Sequence, residues 1–369
     1  MVRRSRNRAN SVSDRDTNPS QRAMPINFKT LWQLLKETFD EWSEDKASRL
    51  SAALAYYTIF SLAPLLILVI AIAGSVFGEE AARGQIVGQI QGLVGRNGAE
   101  VIETAIQNAN QPVTGTIASV ISAIALLFGA SGVFAELQDA LNTIWEVTPK
   151  PGIGVKGFVR NRFLSFAMIL GIGFLLLVSL IVSAGLAALN SYFSYLIPGV
   201  DFLWSIANFL ISFGVITLLF GMIFRFLPDV EIAWNDVWIG AGITSLLFVI
   251  GKSLLGMYLG NGSFGSAYGA AGSLVIILAW VYYAAQILFF GAEFTQVYAR
   301  KYGSQIVPSP NAMPVTDKMR AQQGIPHQGN EESTEIDSSN RSNRRMSRRS
   351  GLSGFLHRLT RKRRNRSRF

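Results

Sequence analysis

Six carboxylates are the groups best able to do chemistry in this sequence: Glu136, Asp139, Asp229, Glu231, Asp236 and Glu293. Glu136 and Asp139 stand three apart and share a helix face. Asp229, Glu231 and Asp236 crowd one short segment, and Glu293 falls near the end of the last apolar run. Carboxylates beside or within apolar helices can hold a cation or relay a proton. The competing reading is structural, with these acids paired to Lys150, Lys156, Arg160, Arg162 and Arg225 at one membrane surface. Lys252 is the other conspicuous charge, alone between Asp236 and Glu293. An ammonium at a bilayer centre costs about 2.5–3.5 kcal/mol on insertion scales. Lys252 therefore either lines a cavity, where it could meet an anionic headgroup, or snorkels to the nearer surface. Pro64 frees the carbonyl of Phe60 and should kink its helix, which needs a neighbour or a cavity to satisfy the backbone.

Several kinds of chemistry lack their residues. There is no cysteine, hence no disulfide, thiolate nucleophile or Cys-ligated metal. The only histidines, His327 and His357, lie in a polar C-terminal tail, and no His-rich hydrolytic motif exists. Gly251-Lys252-Ser253 looks like the end of a phosphate-binding loop, but position 246 is Leu where that loop needs glycine. No cofactor is expected.

The elements that must position these residues follow from where charge is missing. Residues 1–50 hold ten Lys/Arg against seven Asp/Glu, residues 51–298 eight against twelve, and residues 299–369 sixteen against five. The middle region carries far less than the quarter of charged residues usual in soluble domains. Its uncharged stretches predict helical membrane spans at about 51–76, 113–135, 163–188, 203–224, 237–259 and 270–295. The expected fold class is an all-α membrane protein, a bundle of about six transmembrane helices with interfacial amphipathic helices. Lys/Arg bias between loops puts both termini in the cytoplasm. Some 49 polar residues precede the first apolar run, so that run reads as a retained anchor and not a cleaved signal.

Three segments read as interfacial. Phe28, Leu31, Trp32, Leu35, Phe39 and Trp42 form one helical face on the inner side. Residues 79–111 read as a helical hairpin on the outer face, broken at Asn97-Gly98. Phe134, Leu137, Leu141 and Ile144-Trp145 continue out of the second span. Gly129-Ala130-Ser131-Gly132 and the run from Gly265 to Gly272 are small-residue stretches that allow close helix approach. The folded membrane domain is expected over residues 26–300, between a disordered tail at 1–25 and a disordered basic tail at 301–369. In the latter, Leu352, Phe355, Leu356 and Leu359 precede Arg361, Lys362, Arg363 and Arg364. The expected partner of this cluster is the anionic inner leaflet, at about 1 kcal/mol per basic residue. Nucleic acid is disfavoured for want of an aromatic stacking platform.

Two blocks carry a family resemblance. One runs Arg49-Leu50-Ser51-Ala52-Ala53-Leu54-Ala55-Tyr56-Tyr57 and on through Ser61-Leu62-Ala63-Pro64. The other runs from Arg225 through Leu227-Pro228-Asp229-Val230, Trp234-Asn235-Asp236-Val237, Gly251-Lys252, Tyr268-Gly269-Ala270 and Trp280-Val281-Tyr282 to Gly291-Ala292-Glu293. Together they resemble the YihY/virulence factor BrkB family of bacterial inner-membrane proteins, over roughly residues 30–300. The resemblance implies a six-spanning fold, an inner-membrane location and a link to serum resistance. It also marks Tyr56, Ser61, Pro64, Asp229, Lys252, Tyr268, Trp280 and Glu293 as motif positions. Many relatives carry a ribonuclease label, which this sequence does not support because it has no hydrolytic cluster. The candidate substrate or ion path is Lys252, Glu293, Tyr56, Ser61, Pro64, Asp229, Glu136, Asp139 and Tyr268. The leading functional expectation is a non-enzymatic, transporter-like protein acting on a lipid or other envelope component, with a homo-oligomer as a further expected partner. The alternative is a scaffold acting through the basic tail and interfacial helices, and a membrane-attached ribonuclease ranks last.

Overall fold

In hydrocarbon a long apolar run can satisfy its backbone only as a helix or within a closed barrel. The computed structural model describes residues 28–109, 116–152, 201–260, 272–304 and 306–325, with scattered residues between 157 and 178. Helix α1 (Phe28–Glu44) precedes α2 (Ala47–Phe77), α3 (Glu79–Ala109) and α4 (Thr116–Ile144). After strand β1 (Val147–Pro149) come α5 (Asp201–Phe226), β2 (Val230–Glu231), α6 (Trp234–Gly260) and α7 (Gly272–Tyr302). The described chain ends with β3 (Val307–Pro308), β4 (Ala312–Pro314) and the short α8 (Asp317–Gln323).

Helices α2, α4, α5, α6 and α7 are long and apolar enough to cross a bilayer. The span expected at 163–188 lies largely outside the described residues; those described there, Met168 and Leu175 among them, are helical. In the crossing segments only 22–33% of the most apolar stretch is buried. Phe60, Phe128, Phe209, Leu246 and Met257 all face outward. Apolar surface on this scale is at home in lipid and not in water.

Two close antiparallel contacts build the bundle. On α4, a Cβ added at Gly129 would stand 3.0 Å from Pro64 Cγ of α2, and one at Gly132 3.0 Å from Ser61 Oγ. Between α6 and α7 the fit is reciprocal. A Cβ at Gly240 would lie 1.8 Å from Thr295 Oγ1, and one at Gly291 1.9 Å from Thr244 Oγ1. Each threonine hydroxyl donates to the glycine carbonyl one turn back on its own helix, at 2.7 Å. The polar atoms are thus satisfied and the methyl groups fill the facing notches.

The bundle has two unlike ends. At the distal end, α3 is a hairpin whose break lies at Gly95 (φ 78), not at the expected Asn97-Gly98. A left-handed φ favours glycine, which has no Cβ to clash. Both arms of the hairpin are used: Val94, Ile102 and Ile106 share a cluster with Ile67 and Ile70 of α2 and Ile277 of α7. At the basal end α1 is docked against the bundle. Its Leu34 packs with Phe294 and Val297, while Arg300 and Lys301 pair with Glu41 and Glu37. The apolar face read from sequence is therefore split, with Leu31 and Leu35 on the protein and Trp32 and Phe39 exposed, while the most buried leucine, Leu34, lies outside that face.

The larger correction concerns the chain after α7. Residues 306–325 are not a disordered tail but a folded strap across the basal end. β4 pairs antiparallel with β1, and β3 with β2. Further backbone bonds run from Lys150 N to Asn311 O (2.9 Å), Ser309 N to Asp229 O (2.9 Å) and Val315 N to Glu146 O (2.8 Å). Folded structure is thus described up to Ile325, past the boundary expected at residue 300. Gly240→Ala overpacks the α6–α7 contact and should cost about 1–3 kcal/mol. Thermal unfolding in detergent should show this loss, and Thr295→Gly in the same chain should restore part of it.

Candidate functional site

Arg320 is a guanidinium with 2% exposure on a seven-residue helix. A charge so buried must be paired, and α8 delivers it to two acids from distant parts of the chain. Its Nη2 donates to Asp45 Oδ1 at 2.6 Å and its Nη1 to Glu146 Oε1 at 3.1 Å. Asp45 itself is 3% exposed. It sits in the turn between α1 and α2, and Glu146 sits in the turn between α4 and β1. Lys46, beside Asp45, reaches across to the carbonyl of Gly324.

The backbone at this site is held in unusual conformations. Lys46 (φ 55) and Glu146 (φ 53) are the non-glycine residues with left-handed φ among those described. Each costs on the order of 1–2 kcal/mol, and such strain persists only where the surroundings over-determine it. Here the two strained turns flank the two carboxylates that hold Arg320.

Behind the ion pair stands Glu293, on α7 and 1% exposed. Neither of its carboxylate oxygens has a hydrogen-bond partner among the described residues. Its charged neighbours are Asp45, Glu41, Arg320 and Glu146. Arg320 Nε, Gln296 Oε1, Ser51 Oγ and the indole nitrogens of Trp42 and Trp145 are likewise buried and unpartnered. An uncompensated buried carboxylate is costly, so Glu293 calls for a proton or a cation. Burial pushes the Asp45 carboxyl up to about 6; Arg320 pulls it down, while Glu146 and Glu41 add repulsion. Burial also lowers Arg320, but Asp45 and Glu146 outweigh that and hold it above its ordinary value. A cleft of about 30 Å3 beside Asp139, Asn142, Glu146 and Arg320 has room for water and none for an acyl chain.

The six acids singled out from the sequence do not form one site. Asp229 accepts from Asn142 Nδ2 (3.0 Å) and Gln138 Nε2 (3.3 Å), and its amide donates to Asn142 Oδ1 (2.8 Å). Asp236 accepts from the amide and hydroxyl of Ser304, at 2.9 and 2.8 Å. Glu231 and Asp139 are exposed, and Glu136 is half-buried one turn from Asp139. The bases expected to neutralise them have other partners: Lys150 donates to Pro310 O at 2.7 Å, and Arg225 to Ile232 O while lying over the Trp234 ring. Lys156, Arg160 and Arg162 lie outside the described residues.

The other candidates are scattered. Lys252 is exposed on α6, 18 residues from Trp234 or about 27 Å along the helix. Glu293 is nine residues from the end of α7, about 13 Å. Lys252 and Glu293 are therefore separate in depth. Tyr56 is 59% exposed, while Ser61 and Pro64 are taken up by the α2–α4 contact. Tyr268 and the cluster Arg361, Lys362, Arg363 and Arg364 lie outside the described residues. Sequence reading missed Asp45, Glu146 and Arg320. The one local signal was Thr316-Asp317, a helix-start pair amid the polar tail.

Fold and site together define a multi-pass α-helical membrane protein with a buried acidic site at one end. The family model described as Virulence factor BrkB matches residues 38–316, and the chain belongs to that family. A UPF0761 membrane protein of Psychrobacter is 25% identical over 315 residues, 85% of this chain and 57% of the relative. Another from Acinetobacter baylyi is 24% identical over 291 residues, 77% and 66%. A third, from Pseudomonas aeruginosa, is 28% identical over 265 residues, 67% and 58%. The chain thus spans less than two thirds of the length of these relatives. No solved structure matches it.

Removing Arg320 leaves Asp45 buried without its cation, and breaking such a pair costs about 3–5 kcal/mol. Arg320→Ala should release the strap, so that limited trypsin digestion cuts at Lys318 many times faster than in the parent chain.

Proposed function

We propose that this protein is an ion-coupled, transporter-like membrane protein that moves an amphipathic envelope component, a lipid being the leading substrate class. One observation carries the reading: Glu293 is a buried carboxyl within a crossing helix, with both oxygens unpartnered among the described residues. Intramembrane acids of this kind mark ion and proton paths. With no nucleotide-binding motif in the sequence, the driving force in this reading is an ion gradient. Lys252, exposed toward the distal end of α6, supplies a cation for an anionic headgroup. The basal end, where the strap and α1 gather, is assigned to the cytoplasmic side of the inner membrane on the loop charge bias. A scaffold role for α1 is less well supported, because its Leu34, Glu37 and Glu41 are engaged by α7.

The test is lipid translocation in proteoliposomes. Fluorescent lipids are placed in both leaflets, an impermeant quencher is added outside, and an enclosed dye reports leaks. Quenching well beyond half is expected, at a rate that responds to a pH gradient. Glu293→Gln should abolish the pH response, and Lys252→Ala should slow anionic lipids more than zwitterionic ones. Quenching that stops at half for every lipid, with or without a gradient, would count against this function.

A further inference from the structure

Three carboxyls from three parts of the fold surround one guanidinium at the basal end. Asp45 comes from the α1–α2 turn, Glu146 from the α4–β1 turn and Glu293 from α7, with Arg320 among them on the strap. Asp45 and Glu293 are the buried acids of this group, and with both ionised two carboxylates would share the single guanidinium of Arg320. Glu41 also faces the site from α1 but is engaged by Arg300 at 2.5 Å, and Glu44 lies near Arg320. Unpartnered atoms of both kinds are present, Glu293 Oε1 and Oε2 as acceptors and Arg320 Nε as a donor. No group of acids and histidines suited to a metal occurs among the described residues. The ligand that fits a small, carboxyl-rich, partly cationic space is a proton.

We propose that Asp45 and Glu293 beside Arg320 form a shared proton-binding site, and that the strap of residues 306–325 is the element that reports its occupancy. Arg320 belongs to the strap, so the strap's docking and the charge of the site are thermodynamically linked. This extends the reading of Glu293 given above and rests on it for its place in a transport cycle.

The direction of the linkage follows from burial. Docked, Asp45 holds its proton up to a pH of about 6; undocked and solvated, it returns toward 3.8. A group with the higher affinity for protons in the docked state stabilises docking when protonated. Its contribution is complete below the solvated value and is lost as pH rises through about 6. Acid therefore seats the strap and neutral pH loosens it, against the intuition that an ion pair weakens in acid. Between pH 7.5 and pH 5 the docked-to-undocked ratio should rise roughly tenfold.

The full chain has no native cysteine, so nitroxide labels can be placed cleanly on Ser43→Cys in α1 and Lys318→Cys in α8, both exposed. Labelling is done once at a fixed pH, and pulsed EPR distances are then measured in liposomes at pH 5 and pH 7.5. The expected result is a short docked distance that dominates at pH 5, with a longer population growing at pH 7.5. Asp45→Asn should remove the pH dependence. One distance distribution at both pH values, or a pH dependence that survives Asp45→Asn, overturns the site. Because the readout is a distance, it stands or falls apart from lipid movement: pH-dependent docking without transport counts only against the proposed function, and transport without pH-dependent docking only against this site.

Discussion

The basal end of this protein depends on one buried guanidinium. Arg320 satisfies carboxylates 275 and 174 residues away in sequence, and by doing so joins the start of α2, the end of α4 and the chain after α7. Desolvating such a pair offsets much of its Coulombic attraction. What the pair supplies is placement: three segments that share no periodic apolar pattern are brought to one point. The β1–β4 and β2–β3 ladders, each only two or three residues long, would be marginal alone. They are stable as accessories to this contact and to the apolar core around Leu141, Ile144, Trp145 and Leu227 beneath them.

The rest of the bundle is held differently. Its crossing helices gain little from hydrophobic association, because lipid is as apolar as their side chains. Close approach takes over that role. Pro64 against Gly129 and Ser61 against Gly132 join α2 to α4, and the reciprocal glycine–threonine fit joins α6 to α7. In both cases the polar atoms are internal to the contact or bonded within their own helix. Among the described residues Glu293, between Gly291 and Thr295 on α7, departs from this satisfaction with both carboxylate oxygens, and Ser51 Oγ, Gln286 Oε1 and Gln296 Oε1 do so with one atom each. A helix of the reciprocal glycine–threonine contact is thus also the one that carries the unpartnered acid.

Much of the membrane architecture was legible in the sequence, because absence of charge over some twenty residues has few physical meanings. Of the small-residue runs, Gly129 to Gly132 lies at the α2–α4 contact, while the run from Gly265 falls outside the described residues up to Ala271; the α6–α7 contact uses Gly240 and Gly291, which belong to neither run. The hairpin break was misplaced by two residues, since Asn97-Gly98 has a turn-forming composition while the backbone turns at Gly95. The strap was hidden by its brevity: Pro308, Pro310 and Pro314 punctuate it, and its strands are too short to show alternation. The buried site was hidden more deeply. Nothing local distinguishes Asp45 or Arg320 from the many other charges in the two basic ends, and only the tertiary fold brings them together. Glu293 stood out as a lone acid in an apolar run, but its neighbours could not be guessed from spacing.

The position of Arg320 in the chain also sets an order of events during synthesis. Asp45 leaves the ribosome 275 residues before its partner, which at typical elongation rates is about 14–55 s. For that interval the crossing helices can enter the bilayer one after another while their basal turns remain hydrated. Closure of that end must follow the last crossing helix, because the closing segment is translated after it. Assembly of the membrane bundle and sealing of its end are therefore separated in time by the order of the gene.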